Sequence, residues 1–381
     1  MKILHIYKDY FPVIGGIENH VRLLAEAQAA AGHEVTVLVT NRARVTTTER
    51  LNGVRVIKAA RLGVVASTPL SVSLFRHLRR QRPDVTHLHF PYPVGEVAHY
   101  LLGRSRHAVM TYHSDVVRQK AALRLYKPLM WRVLHGVDRI IVGSPNYLAS
   151  SPTLQRFAAK CKVVPFGIDR RPFLNADPVA ARRLRELHGG GPLLLFVGVL
   201  RYYKGLEYLL EAMTSISAKL LIVGEGPLGT SLQAQARSLG LAGGKVLLTG
   251  RVRDEDLPAY YRAADVFVLP ASERSEAFGL VQIEAMSSAT PVVCTELGTG
   301  TTFVNRHQES GLVVPPKDAS ALARAINRLL SDEPLRRRLA EGALERSSLF
   351  TAERMLAGVQ QVYDELVPPQ NSVAARESQA E

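Results

Sequence analysis

The sequence of 381 residues contains only two cysteines, Cys161 and Cys294. Two cysteines cannot build the disulfide framework of a small secreted protein, so both are expected to be free thiols. Long uncharged stretches are also missing. The longest one, 140–155, contains two prolines and is shorter than the about 20 apolar residues of a membrane-spanning helix. Residues 1–9 become charged too soon for a signal peptide, and we therefore expect a cytoplasmic protein.

Acidic residues are scarce in the first half of the chain. Residues 1–170 hold 25 Lys and Arg against 10 Asp and Glu, whereas residues 171–381 hold 23 against 24. The whole net charge of +14 therefore belongs to the first half. Such an excess predicts an acidic partner for that half, which could be nucleic acid, anionic lipid or a phosphorylated acceptor.

Short apolar runs alternate with helical patterns, which is typical of a parallel sheet covered on both faces. The predicted strands are 2–7, 34–40, 54–59, 85–90, 108–113 and 139–142, then 193–199, 219–223, 245–248, 266–269 and 291–295. One long α/β domain is the alternative interpretation. Two doubly wound domains, 1–168 and 169–350, fit better because a Gly/Pro-rich joint lies near the middle. The polar tail 367–381 is expected to be disordered.

Glycine and basic residues follow the first predicted strand of each half. Gly15 and Gly16 open a helix, where a close backbone and free N–H groups favour an anion, although a plain tight turn is an equal alternative. In the second half, Arg201 and Lys204 follow the strand 193–199. Ligands of doubly wound folds bind at such carboxyl ends of strands.

Two glutamates, Glu276 and Glu284, are eight residues apart in a mostly apolar run. Phe278, Gly279 and Leu280 between them are predicted to form the first turn of a helix whose free N–H groups can hold a diphosphate. Glu284 then lies about two turns into that helix, within reach of a ribose. Two solvated glutamates on a surface helix are the alternative interpretation. Against it, a carboxylate buried in an apolar run costs free energy unless it binds a partner.

The spacing of Glu276 and Glu284, with Phe-Gly after the first glutamate, resembles that of retaining GT-B glycosyltransferases of family 4. The resemblance covers nearly the whole chain. It includes Gly15-Gly16, the strand 83–89, the segment 165–169, Lys204-Gly205 and the motifs 224–227 and 311–316. The ordered set, with its motifs at the ends of predicted strands, makes the resemblance specific.

The resemblance implies two Rossmann-like domains that face each other across a cleft, with a last helix, about 351–366, that returns to the first domain. It also implies roles for individual residues. Glu284 would bind the ribose and Glu276 the donor sugar, and Lys204 would neutralise the leaving diphosphate. The backbone of Phe278, Gly279 and Leu280 would hold the diphosphate or the sugar, Gly16 would lie near the phosphate and His113 near the sugar.

The resemblance further implies that no metal or other cofactor is required. The lone histidines His87 and His89 are expected to be strand residues with local partners rather than metal ligands. The segments 201–205 and 295–302 are similar to those of mannosyltransferase-type members that build lipopolysaccharide or exopolysaccharide. GDP-mannose is therefore the first choice of donor, a UDP-sugar is the alternative, and a lipid-linked or glycan acceptor is expected.

A protein of another class is also possible, namely a non-catalytic binding protein that uses its basic half for nucleic acid or anionic lipid. No nucleic-acid motif is present, and nucleic acid is not an expected partner. Two stretches, 70–82 and 118–139, combine basic with apolar residues, which suits an anionic membrane surface. We therefore expect peripheral association with the inner face of the cell membrane.

One position departs from the family pattern. Members carry arginine directly after the glycine that ends the first strand of the second domain, and here that position is Val199. Alternation along an extended segment places Val199 and Arg201 on the same side. We expect Arg201 to replace the missing arginine; a plain surface-loop arginine is the alternative.

Overall fold

A computed structural model describes residues 1–13, 15–65, 68–116 and 120–368. The tail expected to be disordered lies outside the described residues from 369 onward. The chain divides into two compact units. The first comprises residues 1–143, 151–165 and those from 355 on, and the second comprises residues 144–150 and 166–354. The predicted boundary lay at residue 168, and the grouping of residues 144–150 with the second unit was not predicted.

The first unit is built on an eight-stranded sheet and a separate two-stranded hairpin. Its strands are β1 (Lys2–Ile6), β2 (Glu34–Thr40), β3 (Thr47–Leu51), β4 (Val54–Ala59), β5 (Gly63–Val65), β6 (Thr68–Leu70), β7 (Val85–Phe90), β8 (His107–Tyr112), β9 (Arg139–Val142) and β10 (Cys161–Val163).

The large sheet has the order β10-β9-β8-β7-β1-β2-β4-β3, and all neighbours are parallel except β3 and β4. The chain order reverses between β1 and β7, which are neighbours in the sheet. This arrangement is a doubly wound sheet with a topological switch point beside β1. The central strands are buried along nearly their whole length, as their continuous apolar sequences predict.

The helices of residues 1–165 cover this sheet or follow its strands. They are α1 (Gly16–Ala30), α2 (Val72–Leu78), α3 (Pro93–Leu102), α4 (Lys120–Gly136), α5 (Pro145–Ser150) and α6 (Pro152–Arg156), with a 3₁₀ turn at Ala158–Lys160. Helix α1 buries Val21 and Leu24 completely, which matches the predicted helical spacing of its apolar residues. Ser71 caps the N-terminus of α2, because its hydroxyl accepts a hydrogen bond from the N–H of Leu74.

The second unit contains a six-stranded, fully parallel sheet. Its strands are β11 (Leu193–Val197), β12 (Lys219–Val223), β13 (Val246–Gly250), β14 (Val266–Leu269), β15 (Val292–Thr295) and β16 (Gly311–Val314). The order is β13-β12-β11-β14-β15-β16. This is the 3-2-1-4-5-6 order of a Rossmann-type sheet, and its switch point lies between β11 and β14.

Short and long helices alternate with these strands. They are α7 (Arg171–Leu174), α8 (Pro178–Leu187), α9 (Leu206–Met213), α10 (Gly229–Ser238), α11 (Leu257–Ala263), α12 (Leu280–Ser287), α13 (Thr301–Val304), α14 (Ala319–Ser331) and α15 (Glu333–Ser347), with a 3₁₀ turn at Tyr202–Lys204. The predicted pair of doubly wound α/β units is therefore confirmed.

The last helix, α16 (Ala352–Leu366), belongs to the first unit from Met355 on. Its residue Tyr363 is completely buried, and its Glu365 forms ion pairs with Arg139 and Lys162 of the first unit. Within the described ranges, no helix has both the length and the apolar composition needed to cross a bilayer.

Candidate active site

Two loops meet at the switch point of the second sheet. One follows β11 and runs through Arg201 and Lys204 to Gly205; the other follows β14 and contains Glu276. Adjacent parallel strands end at the same edge, so the order of the sheet brings these loops together. The backbone N–H of Ser272 donates to the carbonyl oxygen of Tyr203 at 2.8 Å, which ties one loop to the other.

The close approach of the loops requires glycine at position 205. Gly205 has φ of +66°, and a Cβ there would lie 2.0 Å from the carbonyl oxygen of Pro270. Any other residue would therefore combine a left-handed backbone with a clash against backbone atoms. The Lys-Gly pair thus fixes the turn that presents Lys204.

Lys204 and Glu276 form a buried ion pair. The Lys204 Nζ lies 2.5 Å from Glu276 Oε2, and the two side chains are only 9% and 10% exposed. Burial alone would lower the pKa of Lys204, but the neighbouring Glu276 charge raises it above its ordinary value, so the amine stays protonated. The hydroxyl of Thr299 donates to the carbonyl oxygen of Glu276 at 2.8 Å and holds its backbone in place.

Glu284 lies on α12, and a tyrosine from α11 orients it. The hydroxyl of Tyr261 donates to Glu284 Oε2 at 2.5 Å. Burial raises the pKa of Glu284 above its ordinary value, whereas the Tyr261 hydrogen bond and the charge of Lys204 lower it. Lys204 therefore acts electrostatically on both predicted glutamates. Tyr261 could not be predicted from the sequence, because nothing there relates it to a glutamate 23 residues away.

The start of α12 differs from the prediction. The helix begins at Leu280, so Phe278 and Gly279 are not part of its first turn. Gly279 has φ of +77°, and a Cβ there would lie 2.7 Å from the Gln282 side chain, so this left-handed residue ends the loop and starts the helix. The Phe278 ring is buried against Phe166. The free N–H groups in the first turn of α12 nevertheless lie next to this loop, where they favour an anion.

Arg201 is exposed, as is Val199, and Leu200 between them is buried. This alternation matches the predicted placement of Val199 and Arg201 on one side. The charge of Arg201 lowers the pKa of Lys204, against the larger raising effect of Glu276. The site thus has a buried positive charge at Lys204 and an exposed one at Arg201.

Together these groups suit a ligand with a diphosphate and several hydroxyls. Two cations and the N-terminus of α12 attract negative charge, and two carboxylates are placed to accept hydrogen bonds from hydroxyls. The structure thus gathers Arg201, Lys204, Glu276 and Glu284 at one end of the sheet, as predicted.

Gly15, Gly16 and His113 belong to the first unit. Gly15 precedes α1 with an extended backbone, and a Cβ at Gly16 would meet nothing within 4 Å. A Cβ at Gly15 would lie 2.2 Å from a carboxylate oxygen of Glu18, in the first turn of α1. An acidic side chain thus lies at the helix N-terminus, where its charge is stabilised.

His113 follows β8 and joins a group of five buried histidines. Alternation along β7 and β8 places His87, His89, Thr111 and His113 on one face, beside His5 of β1. The fifth, His20 of α1, lies with its ring centroid 4.9 Å from that of His113. Burial lowers the pKa of His113 well below its ordinary value, and the nearby His20 adds to the effect. His113 is therefore a neutral imidazole.

His87 and His89 lie in β7 and have hydrogen-bond partners, as predicted, but they belong to a larger group of histidines. In two groups of three histidines, one ring nitrogen from each residue lies within 4.8 Å of the others: His5, His87 and His89, and His20, His89 and His113. The first group is a poor chelator, because the His87 and His89 rings are stacked 4.5 Å apart at 16° and their lone pairs lie in separate parallel planes. The expectation that no metal is needed stays a prediction.

Family comparisons cover both units. The family model described as Glycosyltransferase Family 4 matches residues 14–171, and the one described as Glycosyl transferases group 1 matches residues 181–346.

Two curated relatives match nearly end to end. The chain is 39% identical to D-rhamnosyltransferase WbpZ of Pseudomonas aeruginosa over 92% of the chain and 93% of the relative. It is 36% identical to O-antigen chain mannosyltransferase C of Escherichia coli over 96% and 99%. Among solved structures, it resembles sucrose-phosphate synthase from Thermosynechococcus elongatus with a TM-score of 0.80, 28% identity and coverage of 96% and 99%.

Proposed function

Because the chain belongs to the family 4 glycosyltransferases of GT-B fold, we propose that it is a retaining mannosyltransferase of cell-envelope polysaccharide synthesis. The donor would be GDP-mannose and the acceptor a lipid-linked or other glycan. The buried Lys204–Glu276 pair beside the switch point is the observation that carries the proposal. It places a cation for a leaving diphosphate next to a carboxylate for a sugar hydroxyl.

The choice of sugar is supported by the relatives. One is an O-antigen chain mannosyltransferase and another a D-rhamnosyltransferase, and both align over more than nine-tenths of the chain. A fold does not determine a sugar. A UDP-sugar is the alternative donor, and a comparison of products from GDP-sugars and UDP-sugars distinguishes it from GDP-mannose.

The proposed reaction needs charge stabilisation more than a nucleophile. The bond between the anomeric carbon and the diphosphate oxygen breaks, the sugar becomes oxocarbenium-like, and negative charge grows on the departing phosphate. Lys204, Arg201 and the N–H groups of α12 are preorganised for that charge. The acceptor hydroxyl attacks the same face and gives its proton to the departing phosphate oxygen, which retains the anomeric configuration.

Glu276 and Glu284 would have different tasks. Glu284, fixed by Tyr261, would hold ribose hydroxyls that do not change during the reaction. Glu276 would hold hydroxyls of the sugar that changes shape, so its contacts can strengthen in the transition state. The resemblance assigns His113 to the donor sugar and Gly15-Gly16 to the phosphate region.

Mass spectrometry of reaction products tests this function. The full chain is incubated with a lipid-diphosphate-linked glycan and, one at a time, GDP-mannose, other GDP-sugars and UDP-sugars. A gain of one hexose from GDP-mannose only is expected, and Lys204→Met should abolish it. Transfer from a UDP-sugar instead would move the assignment to that donor, and transfer from none of them would contradict the proposed function.

We also propose that the first unit binds the inner face of the cell membrane. The structure corrects which residues could do so, because Leu74 and Leu78 of α2 and Met130 of α4 are buried in the core. Leu70 and Val72 of the first predicted stretch are exposed, and further exposed apolar side chains lie on and beside the β5–β6 hairpin, at Leu62, Val64 and Val65. Arg118, in the second predicted stretch, lies outside the described residues.

Basic residues follow the hairpin in α2 and just after it. Arg76, Arg79, Arg80 and Arg82 are all exposed. Apolar side chains that insert between lipids, next to cations for anionic headgroups, are typical of peripheral membrane proteins. Each cation near the surface contributes about 1 kcal/mol. The neighbouring hairpin and arginines therefore suit an anionic bilayer.

Vesicle sedimentation measures this binding. Arg79→Glu/Arg80→Glu should weaken binding to anionic vesicles by more than tenfold, since two cations supply about 2 kcal/mol. Arg182→Glu/Arg183→Glu is the matched control, because these exposed arginines lie on α8 of the second unit. Equal binding of the unaltered chain to neutral and anionic vesicles, or equal losses in both variants, would contradict binding of these arginines to an anionic membrane surface.

A further inference from the structure

A chain of hydrogen bonds runs from α1 through the buried histidines to His113. His5 Nε2 lies 2.7 Å from the Gln28 side-chain oxygen, and His5 Nδ1 lies 3.1 Å from His89 Nε2. His89 Nδ1 then lies 3.1 Å from His113 Nε2. All four side chains are buried within the first unit. The chain joins two strands, one helix and the residue after β8.

The rings of this chain meet edge to edge. The ring centroids are 5.4 Å apart in both the His5–His89 and the His89–His113 pairs, with interplanar angles of 27° and 22°. Nitrogen atoms 3.1 Å apart at that centroid distance must face each other along the line between the rings. This geometry suits N–H···N hydrogen bonds, each with one donor and one acceptor.

The amide of Gln28 sets the direction of the chain. Its oxygen can only accept, so His5 carries its proton on Nε2 and its Nδ1 has none. His5 Nδ1 must then accept from His89 Nε2–H. For the same reason, His89 Nδ1 accepts from His113 Nε2–H. Each imidazole carries one proton, which agrees with the pKa of His5, lowered by burial to about 4.

A second branch supports the same direction. The Gln28 Nε2 group donates to the hydroxyl oxygen of Tyr363 at 3.4 Å, and that hydroxyl lies 2.6 Å from His87 Nδ1. Since Tyr363 accepts from Gln28, it can donate its own proton to His87 Nδ1. His87 Nε2–H then donates to Thr111 Oγ1 at 2.6 Å. Each of the three contacts in the branch then joins one donor to one acceptor when the Gln28 oxygen faces His5.

A metal ion accounts less well for the same residues. A zinc ion lies about 2.0 Å from each histidine nitrogen and away from the line that joins two such nitrogens. The edge-to-edge rings of His5, His89 and His113 instead direct their nitrogens at each other. A bound metal at these nitrogens would be incompatible with this chain of hydrogen bonds.

We propose that Gln28, acting through His5 and His89, fixes His113 as the neutral tautomer with its proton on Nε2. The Nδ1 of His113 then carries no proton and can only accept a hydrogen bond. The assignment of that bond to a hydroxyl of the donor sugar rests on the proposed function, whereas the tautomer itself does not. Gln28 is thus a positioning residue rather than a catalytic one.

Nuclear magnetic resonance of the ¹⁵N-histidine-labelled full chain tests the tautomer directly. Ring-nitrogen shifts and their couplings to the ring protons show which nitrogen carries the proton. At pH 7 without ligand, His113 should carry it on Nε2 only. A proton on Nδ1, a doubly protonated His113, or stoichiometric metal whose removal by a chelator shifts these signals would overturn the proposal.

Two variants test the role of Gln28. In Gln28→Met the chain loses its fixed acceptor, so the Nδ1–H form of His113 should rise at least tenfold. Thr111→Val is the matched control, because it removes an acceptor from the His87 branch only, and it should leave His113 unchanged. An unaltered His113 tautomer in Gln28→Met would overturn the proposal; where this variant does not fold, the measurement on the unaltered chain decides.

Ligand binding separates the proposal from the proposed function. In Gln28→Met, affinity for the nucleotide-sugar should fall in proportion to the lost Nε2–H population, since only that fraction is competent. Affinity for the free nucleoside diphosphate, which lacks the sugar, should not change. An equal loss for both ligands would refute the assignment to a sugar hydroxyl. A failure of any nucleotide-sugar to bind would contradict the proposed function and leave the tautomer measurement valid.

Discussion

Breaking the buried pair Lys204–Glu276 from one side should destabilise the second unit far more than removing both charges. Lys204→Met leaves the Glu276 carboxylate buried and unpaired, at a cost of about 3–5 kcal/mol. The double variant Lys204→Met/Glu276→Gln removes both charges from a site where the side chains are only 9% and 10% exposed. Its stability should lie within about 1 kcal/mol of the unaltered chain, because neither desolvation penalty remains.

Native-state hydrogen exchange of the β11 and β14 amides is the appropriate assay, since it reports the opening of the second unit separately from the first. The exposed pair Lys317–Glu273 is the matched control. Its atoms are 2.7 Å apart, but its side chains are 49% and 35% exposed, so Lys317→Met should leave the stability of the second unit nearly unchanged.

The contribution of the Lys204–Glu276 pair to stability changes with pH in one direction. The pKa of Lys204 is raised in the folded chain, so the pair contributes fully below the ordinary lysine value of 10.5 and is lost only as the pH rises above it. The unaltered chain should therefore keep this contribution at both pH 6 and pH 8, whereas Lys204→Met should be destabilised less at pH 6, because the unpaired Glu276 carboxylate can take up a proton there. Transfer activity should fall by roughly a hundredfold or more in both variants. A double variant that is as unstable as Lys204→Met, or that keeps its activity, would refute the reasoning.

Three further outcomes are expected. Arg201→Lys keeps the charge but removes the planar guanidinium, so turnover should fall by more than tenfold, a loss of about 1.4 kcal/mol of transition-state stabilisation. Unaltered kinetics would show that Arg201 does not take part in the reaction. Tyr261→Phe frees the Glu284 carboxylate, so the donor KM should rise about fivefold with little change in kcat; a change in kcat alone would contradict a role at the ribose. Burial raises the pKa of Glu96 from 4.5 to about 7, so the folded chain keeps a proton that the unfolded chain releases. Stability should therefore fall by about 3 kcal/mol between pH 4.5 and 7 relative to Glu96→Gln, and a constant difference in urea unfolding would refute this.

The strands that could be predicted from the sequence are those buried on both faces. Predicted and observed bounds coincide for β2, β4 and β7, whose apolar side chains face helices on both sides of the sheet. Strand β3 (TTERL) was missed because it is an exposed edge strand of polar residues, held by its antiparallel pairing with β4. Such pairing leaves no apolar alternation to detect.

The candidate site residues of the second unit could be predicted because Arg201, Lys204 and Glu276 lie in the loops that follow β11 and β14, and Glu284 lies on the helix after the second loop. Phe278 was wrongly assigned to the first turn of α12. The helix begins only after the left-handed Gly279, and a glycine in a sequence does not show whether its φ is positive. The segment Ser144–Ser150 groups with the second unit because Arg274 donates to Ser150 Oγ at 3.1 Å, a contact 124 residues apart in sequence.

The histidine cluster marks another limit of sequence reasoning. Alternation along a strand tells which face His87 and His89 share, but the neighbours of that face come from distant segments. His5 pairs with His87 across β1 and β7, and Gln28 and Tyr363 approach from helices at opposite ends of the chain. Only the strand order shows that these residues meet.

Calorimetric titration of free nucleoside diphosphates tests most directly the claim that the switch point of the second sheet holds the donor. The unaltered chain should bind GDP in preference to UDP. Glu284→Ala should lose at least tenfold in GDP affinity, since a charged hydrogen bond to the ribose contributes about 1.5–3 kcal/mol. Glu276→Gln should bind GDP about as well as the unaltered chain, because free GDP lacks the sugar. Unchanged affinity in Glu284→Ala, or a large loss in Glu276→Gln only, would contradict the account.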